Sequence, residues 1–270
     1  MGALDAAMLN EMRSVNAAVK HPSTRTIPED GTPESLWNAW PGLDAVELVP
    51  IEKWMHPMAR LVVVAPHPDD EILACGGLMA LHARRGGKSV VVAVTDGEAS
   101  HGDSRSWRGG QLAEIRRAER VRGLARLGCA DTEVHRLGLA DGKVASQVDT
   151  LQSELQKVMQ WGDIVVTTWR LDGHPDHEAC GAAAARACAD VRCRLLEAPV
   201  WMWHWSRPAD SRVPWHRLVG LQLPGEAVSR KRRAVESHAS QLLPRGAAQG
   251  PVLGPTILER LDRRTEYFFA

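Results

Sequence analysis

The stretch LVVVAPHPDDE, residues 61–71, joins an unbroken apolar run to one histidine and three carboxylates. The run from Leu61 to Ala65 has the composition of a strand that is buried on both faces. Such a strand needs no ionisable groups at its end. Four of them this close together repel one another and cost desolvation unless something binds them. The loop at 67–71 is therefore a candidate ligand site.

Strands and helices alternate on both sides of this stretch. Sequence patterns predict strands at 61–66, 88–96, 133–138, 163–169, 194–205 and 217–223, and helices at 70–85, 109–128, 147–160, 178–190 and 226–240. This alternation produces βαβ units, so we expect an α/β fold with a mostly parallel sheet and helices on both faces. Patterns at the N-terminus indicate a helix at 4–15 and a short helix around Trp37. The tail to Ala270 is predicted to be irregular.

A second His-Pro-Asp loop, HPDH at 174–177, follows the strand at 163–169. Ligands of parallel sheets bind outside the carboxyl ends of the strands, so the two loops can face each other there. Together they offer His67, Asp70 and His177, with His174 and Asp69 in addition. Two imidazoles and a carboxylate make a catalytic metal site. Zn²⁺ suits these ligands best, Fe²⁺ is the second candidate, and Mg²⁺ is disfavoured because it prefers oxygen ligands.

Each loop taken alone has an ordinary alternative interpretation. A single HPDD or HPDH can be a turn and a helix N-cap, with its acids favoured by the helix dipole. Two such loops at equivalent strand ends favour the metal site over this alternative.

Composition excludes several classes of function. The 270 residues carry 33 basic and 33 acidic side chains, so no basic excess favours nucleic acid or an anionic membrane. No apolar run approaches the roughly 20 residues of a membrane span, and the N-terminus lacks the features of a signal peptide. The 5 cysteines are an odd number without a C-x-x-C pair. We therefore expect a reduced, cytoplasmic protein.

Four segments together resemble a known family. APHPDDEILACGG, VTDGEAS, IRRAERVRGLARLG and WRLDGHPDHEACG are similar to segments of the PIG-L/LmbE-like family of metal-dependent N-acetylglucosaminyl deacetylases. The resemblance runs from about Leu61 to Gly181. It implies a Rossmann-like α/β fold and an enzyme that removes an acyl group, usually acetyl, from an amino-sugar nitrogen. It also implies a small N-acylated sugar or glycoconjugate as the partner.

The resemblance implies roles for five residues of the two loops. His67, Asp70 and His177 correspond to the metal ligands. Asp69 corresponds to the general base. His174 corresponds to the residue that polarises the tetrahedral intermediate or protonates it, and we expect it to act in its protonated form.

Two further residues are candidate substrate contacts. Arg116 corresponds to a substrate-contact position of the family, and its alternative is an ion pair with Glu119 on the same helix. Asp96, at the end of the second strand, is expected either to bind a sugar hydroxyl and orient a ligand or to cap the turn with Gly97.

The segment WMWHW, 201–205, stands out because the chain has 10 Trp against 1 Tyr and 2 Phe. Read as part of a strand, it places Trp201, Trp203 and Trp205 on one face. That face is either a stacking wall for a sugar or aglycone, or part of the core.

The sequence thus predicts a zinc-dependent hydrolase that removes an N-acetyl group from an amino sugar or a related small metabolite. We divide the chain into an N-terminal extension with short helices at 1–50 and the deacetylase domain at 51–270. One alternative is an amidase that cleaves a thiol-conjugate amide. Another is a non-catalytic sugar- or nucleotide-binding α/β module, which predicts no bound metal; the chain lacks the G-x-G-x-x-G fingerprint of dinucleotide-binding folds.

Overall fold

The computed structural model describes residues 25–28, 30–101, 110–245 and 249–270. The helix predicted at 4–15 lies outside them. The strands are β1 (Glu47–Leu48), β2 (Leu61–Ala65), β3 (Ser89–Ala93), β4 (Glu133–Arg136), β5 (Ile164–Thr168), β6 (Arg194–Ala198), β7 (Leu218–Gln222) and β8 (Thr265–Phe269). The helices are α1 (Glu34–Asn38), α2 (Pro41–Asp44), α3 (Ile51–Trp54), α4 (Asp70–Arg84), α5 (Gly110–Leu127), α6 (Val148–Val158), α7 (Pro175–Val191), α8 (Met202–Trp205), α9 (Gly225–Val235), α10 (Ala239–Leu242) and α11 (Pro255–Glu259).

The strands form one sheet in the order β1-β7-β8-β6-β5-β2-β3-β4. Neighbouring strands run parallel except at β8, which is antiparallel to both β6 and β7. The strand from the opening stretch, β2, lies between β3 and β5, with Val62 paired to Val90 on one side and to Val165 on the other. The predicted α/β fold with a mostly parallel sheet is confirmed.

Alternate residues of β2 supply two separate cores. Leu61 and Val63 pack with α4, α5 and α9 on one face, whereas Val62 and Val64 pack with α6 and α7 on the other. All four side chains are buried, as expected for a strand covered by helices on both faces. The cores fix the position of β2, and therefore of the loop that follows it.

The tail predicted to be irregular contains α11 and the strand β8, so that prediction is wrong. The alternating pattern of β8 is obscured by a buried carboxylate, Glu266. Its two oxygens accept the backbone N–H groups of Gly77 at 2.7 Å and Leu78 at 2.8 Å, and Lys231 Nζ lies 2.6 Å away. These amides follow a break in α4 at Cys75, where φ is −150° and ψ is 26°. Glu266 therefore caps the second half of α4.

The strand predicted at 194–205 is too long. It ends at Ala198 before Pro199, and residues 202–205 form the single helical turn α8. Trp203 and Trp205 are buried in a cluster with Trp37, and Trp201 is half-buried. The three tryptophans of this segment therefore do not share one strand face. Trp37 also donates its indole N–H to the carbonyl of Trp203 at 3.1 Å, which attaches α1 to the sheet region.

Candidate metal centre

The two His-Pro-Asp loops lie side by side because β2 and β5 are adjacent parallel strands. Each loop leads directly into a helix, α4 or α7. Asp69 stands at the N-cap of α4 but makes no capping hydrogen bond with its side chain, contrary to the helix-cap interpretation. At α7, Pro175 occupies the first turn, and the cap is the His174 ring, which accepts the N–H of Asp176.

Three side chains converge on one point between the loops. His67 Nδ1 lies 3.0 Å from Asp70 Oδ2, and His177 Nε2 lies 3.1 Å from the same oxygen. One nitrogen or oxygen atom from each of the three residues falls within 4.8 Å of the others. All three residues are buried. The sequence therefore identified a set of side chains that the fold does bring together.

Carboxylates orient both imidazoles from the far side. Asp172 Oδ2 lies 2.8 Å from His177 Nδ1, and Asp141 Oδ1 lies 3.1 Å from His67 Nε2. Such contacts hold the proton on the far nitrogen and leave the near nitrogen free to bind a metal. Sequence reasoning missed both aspartates. Asp172 stands in the quoted segment WRLDGHPDHEACG, so its nearness to His177 in the sequence was a usable signal. Asp141 follows β4, and no local pattern marks it.

The near nitrogen of His177 shows that the residues fit a divalent cation. Nε2 is buried and has no well-directed hydrogen-bond partner in the described part of the chain, although it lies 3.1 Å from Asp70 Oδ2. When the neutral His177 ring donates its Nδ1–H in a hydrogen bond to Asp172, Nε2 carries a lone pair. This lone pair faces the Asp70 carboxylate oxygen. Two acceptors at this separation need a positive charge between them, and two imidazoles with one carboxylate match a catalytic Zn²⁺ donor set.

The ionisation of the cluster agrees with this requirement. Burial lowers the pKa of His177, but Asp70 and Asp172 raise it to about 9. Burial raises the pKa of Asp70, but His177 and His67 hold it well below its usual value. Without a metal, a proton on the imidazole supplies the positive charge. A metal ion that binds here therefore displaces that proton.

Asp69 has an unusual backbone and a perturbed carboxyl group. Its φ of 133° lies in a region that residues other than glycine rarely adopt, and such strain concentrates at functional sites. Burial raises the pKa of its carboxyl group to about 7, while Arg116, whose Nη2 lies 3.2 Å from Oδ2, opposes that rise. A carboxyl group with a pKa near 7 suits general acid–base work at neutral pH.

Arg116 braces this loop instead of pairing with Glu119. It donates to the carbonyls of Pro68 and Gly97, each at 2.9 Å, and it contacts Asp69. Glu119 instead accepts from the backbone N–H of Ser240 at 2.8 Å and from its hydroxyl at 2.6 Å. The guanidinium of Arg116 therefore fixes the conformation of the general-base candidate. Its predicted contact with substrate stays a prediction.

Asp96 is held by two arginines. Its oxygens accept from Arg117 Nη1 and Arg136 Nε, each at 2.9 Å, and these contacts lower the pKa of its carboxyl group despite its burial. It thus connects the end of β3 to α5 and β4. The Asp96 carboxylate thus forms ion pairs with both arginines. Its predicted role in substrate binding stays a prediction.

His174 is neutral in this structure, which differs from the protonated form expected from the sequence. Burial, together with the positive charge of His177 and His67, lowers the pKa of His174 to about 3. Its Nδ1 accepts the Asp176 N–H at 3.3 Å, so the proton of the neutral ring belongs on Nε2. His174 can therefore donate a hydrogen bond without carrying a charge.

A cavity of about 950 Å³ opens directly onto these residues. Its walls include His67, Asp69, His174 and His177, so a small organic molecule has access to both the ligand cluster and the base candidate. Among the described residues, no helix is both long and apolar enough to cross a membrane.

A family model described as "PIG-L: GlcNAc-PI de-N-acetylase" matches residues 62–188, which include both loops. Residues 62–188 of the chain therefore match the PIG-L family. The resemblance inferred from the sequence motifs is confirmed, and so is the expected class of enzyme, a deacetylase that hydrolyses an amide bond.

Curated PIG-L relatives carry deacetylase names. The chain is 28% identical over 238 residues to 1D-myo-inositol 2-acetamido-2-deoxy-alpha-D-glucopyranoside deacetylase 1 of Saccharopolyspora erythraea, covering 68% of this chain and 78% of the relative. It is 29% identical over 134 residues to the probable N-acetyl-alpha-D-glucosaminyl L-malate deacetylase 2 of Bacillus subtilis, covering 47% of this chain and 60% of the relative.

Likeness to solved structures extends beyond the residues that the family model matches. A deacetylase from the biosynthesis pathway of teicoplanin superposes with a TM-score of 0.59 at 20% identity, covering 78% of this chain and 97% of that one. At this level of identity the likeness concerns the fold alone.

Proposed function

We propose that the chain is a zinc-dependent hydrolase that removes the N-acetyl group from an amino sugar or a related small metabolite. One observation carries the proposal: the buried His177 Nε2 faces a carboxylate oxygen of Asp70 without a well-directed hydrogen bond. Fe²⁺ is the second candidate, because the same set of two histidines and one carboxylate serves it.

His67, Asp70 and His177 would hold the ion. When bound, Zn²⁺ acts as a Lewis acid and lowers the pKa of a water ligand from about 15.7 to about 7. Asp172 and Asp141 keep the two imidazoles in the tautomer that binds it. Hydrolysis of an unactivated amide at neutral pH needs such help, because neutral water is a weak nucleophile.

Asp69 accepts a proton from the water that attacks the amide carbon. Arg116 holds this carboxylate against the loop and opposes the rise of its pKa, so a useful fraction is ionised at neutral pH. The neutral His174 ring carries its single proton on Nε2. It donates this N–H in a hydrogen bond to the oxygen that becomes negative in the transition state. The proton on Asp69 then passes to the departing nitrogen, which leaves as an amine beside acetate.

The proposed class of substrate rests on the names of the curated relatives. Both curated relatives are named as deacetylases of N-acetylglucosamine-containing compounds, which supports an amino sugar here. We assign the chemistry to residues 51–270 and treat 1–50 as an extension of that domain. All five cysteines are free thiols, which supports our proposal of a reducing, cytoplasmic setting.

A screen for product release tests this function. Free acetate and free amine are measured from a panel of N-acetyl sugars, with metal-depleted protein and again after Zn²⁺ is restored. We expect both products in equal amounts, and only after metal is restored. A panel in which no sugar releases acetate, or release that a chelator leaves unchanged, contradicts the proposal.

A further inference from the structure

Two segments outside the family-matched residues build the outer wall of the cavity. The N-terminal segment contributes Ile27, Pro28 and Asp30, and the C-terminal segment contributes residues 249–257. The two segments touch, because the Thr256 hydroxyl donates to the carbonyl of Asp30 at 2.9 Å. Part of the cavity lining therefore comes from residues outside the family-matched range.

Contacts at both of its ends hold the N-terminal segment against the rest of the domain. At one end Arg25 Nε lies 2.9 Å from Glu178 Oε1, on the helix that carries His177. At the other end the backbone N–H of Thr32 donates to the carbonyl of His204 at 2.9 Å. Two residues after Thr32, the Glu34 carboxylate accepts two hydrogen bonds of 2.7 Å from Arg263. These contacts hold Ile27, Pro28 and Asp30 in place as part of the lining.

The surface that these segments present is largely apolar. Ile27 and Pro28 contribute to it from one segment, and Val252 and Leu253 from the other. Trp201 adds a half-buried indole between them and the catalytic loops. Apolar walls with a few polar groups are typical of small-molecule pockets, and apolar contact area is what they offer a ligand.

The charges of the wall disfavour an anionic substituent. Apart from the residues of the candidate metal centre, which include Arg116 and Asp141, the described part of the lining carries one arginine, Arg245, and one carboxylate, Asp30. Arg245 Nε already donates to the carbonyl of Gly250 at 2.9 Å. A carboxylated or phosphorylated substituent would meet no concentration of positive charge here.

The cavity has room for a substrate larger than one sugar ring. Its 950 Å³ lies at the upper end of the range of about 300–1,000 Å³ for pockets that enclose drug-sized ligands. Resting on the proposed deacetylation, we infer that the substrate is an N-acetyl amino sugar with an apolar aglycone, which packs against Ile27, Val252 and Trp201. The sugar then occupies the inner part, beside the catalytic loops.

A matched series of N-acetylglucosaminides tests this inference. The free sugar and its methyl, octyl and malate glycosides are compared by kcat/KM, and their binding is compared by calorimetry, which needs no turnover. Each buried methylene favours binding about fourfold, so burial of about three or four of them predicts a preference for octyl over methyl on the order of 10². Ile27→Ser should reduce this octyl-to-methyl ratio by about tenfold.

Leu36→Ser is the matched control, because Leu36 is an exposed leucine of α1 that does not line the cavity. It should leave the ratio unchanged. Val252→Ser repeats the test from the other segment if Ile27→Ser lowers thermal stability. Equal kcat/KM and equal affinity for the octyl and methyl glycosides overturn the apolar site, as does a preference for the malate glycoside. Octyl-selective binding without acetate release from any glycoside instead refutes the deacetylation and leaves the apolar site standing.

Discussion

Replacing Asp172 with asparagine tests how His177 is held. The Asp172 carboxylate is fully buried and all its contacts are with donors. Oδ1 accepts the N–H groups of Val200 at 3.0 Å and Met202 at 2.9 Å, while Oδ2 accepts the N–H of Trp201 at 3.0 Å and lies 2.8 Å from His177 Nδ1. An asparagine must turn its NH₂ group toward one pair of these donors. Facing His177, the NH₂ group would favour the tautomer with its proton on Nε2, where the metal should bind.

The expected size of the effect follows from that change of tautomer. Loss of a partner behind a metal-ligating histidine typically lowers metal affinity by about 10–100-fold, which corresponds to about 1.4–2.7 kcal/mol. We therefore expect Asp172→Asn to weaken Zn²⁺ binding within this range, and kcat measured at saturating Zn²⁺ to change less than the affinity. Affinity is measured by competition with a chromophoric chelator.

A control separates this effect from general loss of stability. Asp163 is equally buried at the opposite end of β5, where Arg60 Nη2 lies 2.6 Å from Oδ2. Asp163→Asn should lower thermal stability and leave Zn²⁺ affinity unchanged. The positioning role of Asp172 is refuted if Asp172→Asn binds Zn²⁺ as tightly as the parent, or if both variants weaken binding equally.

Two further predictions concern charge. Arg116→Gln removes the cation that opposes the raised pKa of Asp69, so the acid limb of the kcat/KM profile should move to higher pH; an unmoved limb contradicts Asp69 as the group that titrates. Burial lowers the pKa of His238 to about 3, and three arginines of α5 add to this while Asp70 opposes it. The unfolded state therefore binds more protons between pH 6.5 and about 3. This difference should lower the free energy of unfolding by about 1.4 kcal/mol per pH unit as the pH drops through this window, and denaturant titrations of His238→Gln should show a slope that is smaller by that amount.

The sheet and the ligand cluster were predictable because their signals are local. The apolar run of β2 and the HPDD loop are adjacent in the chain, and the rule that ligands bind at the carboxyl ends of parallel strands placed His177 opposite them. These inferences needed only short patterns and one rule of topology. The adjacency of β2 and β5 was not predicted, because the βαβ alternation indicates parallel strands but does not fix their order.

The misses have long-range causes. β8 was not recognised because Glu266 occupies a buried position of the strand, and its partners Gly77 and Lys231 are far away in sequence. The helical turn α8 replaced a predicted strand because Asp172 accepts the backbone N–H groups of residues 200–202, where the turn begins. This contact spans about 30 residues, and the tryptophan pattern does not reveal it. Asp141 reaches His67 from a loop without a motif.

The central claim is that adjacent aspartates have different tasks, with Asp70 binding the metal and Asp69 moving the proton. The most direct measurement is metal content beside steady-state kinetics for Asp69→Asn and Asp70→Ala. Asp70→Ala should lose metal and activity together. Asp69→Asn should retain about one Zn²⁺ per chain and lose about 10²–10⁴-fold in kcat with little change in KM, because the proton moves only in the transition state. An Asp69→Asn protein that is metal-free, or that turns over at the parental rate, would contradict the account.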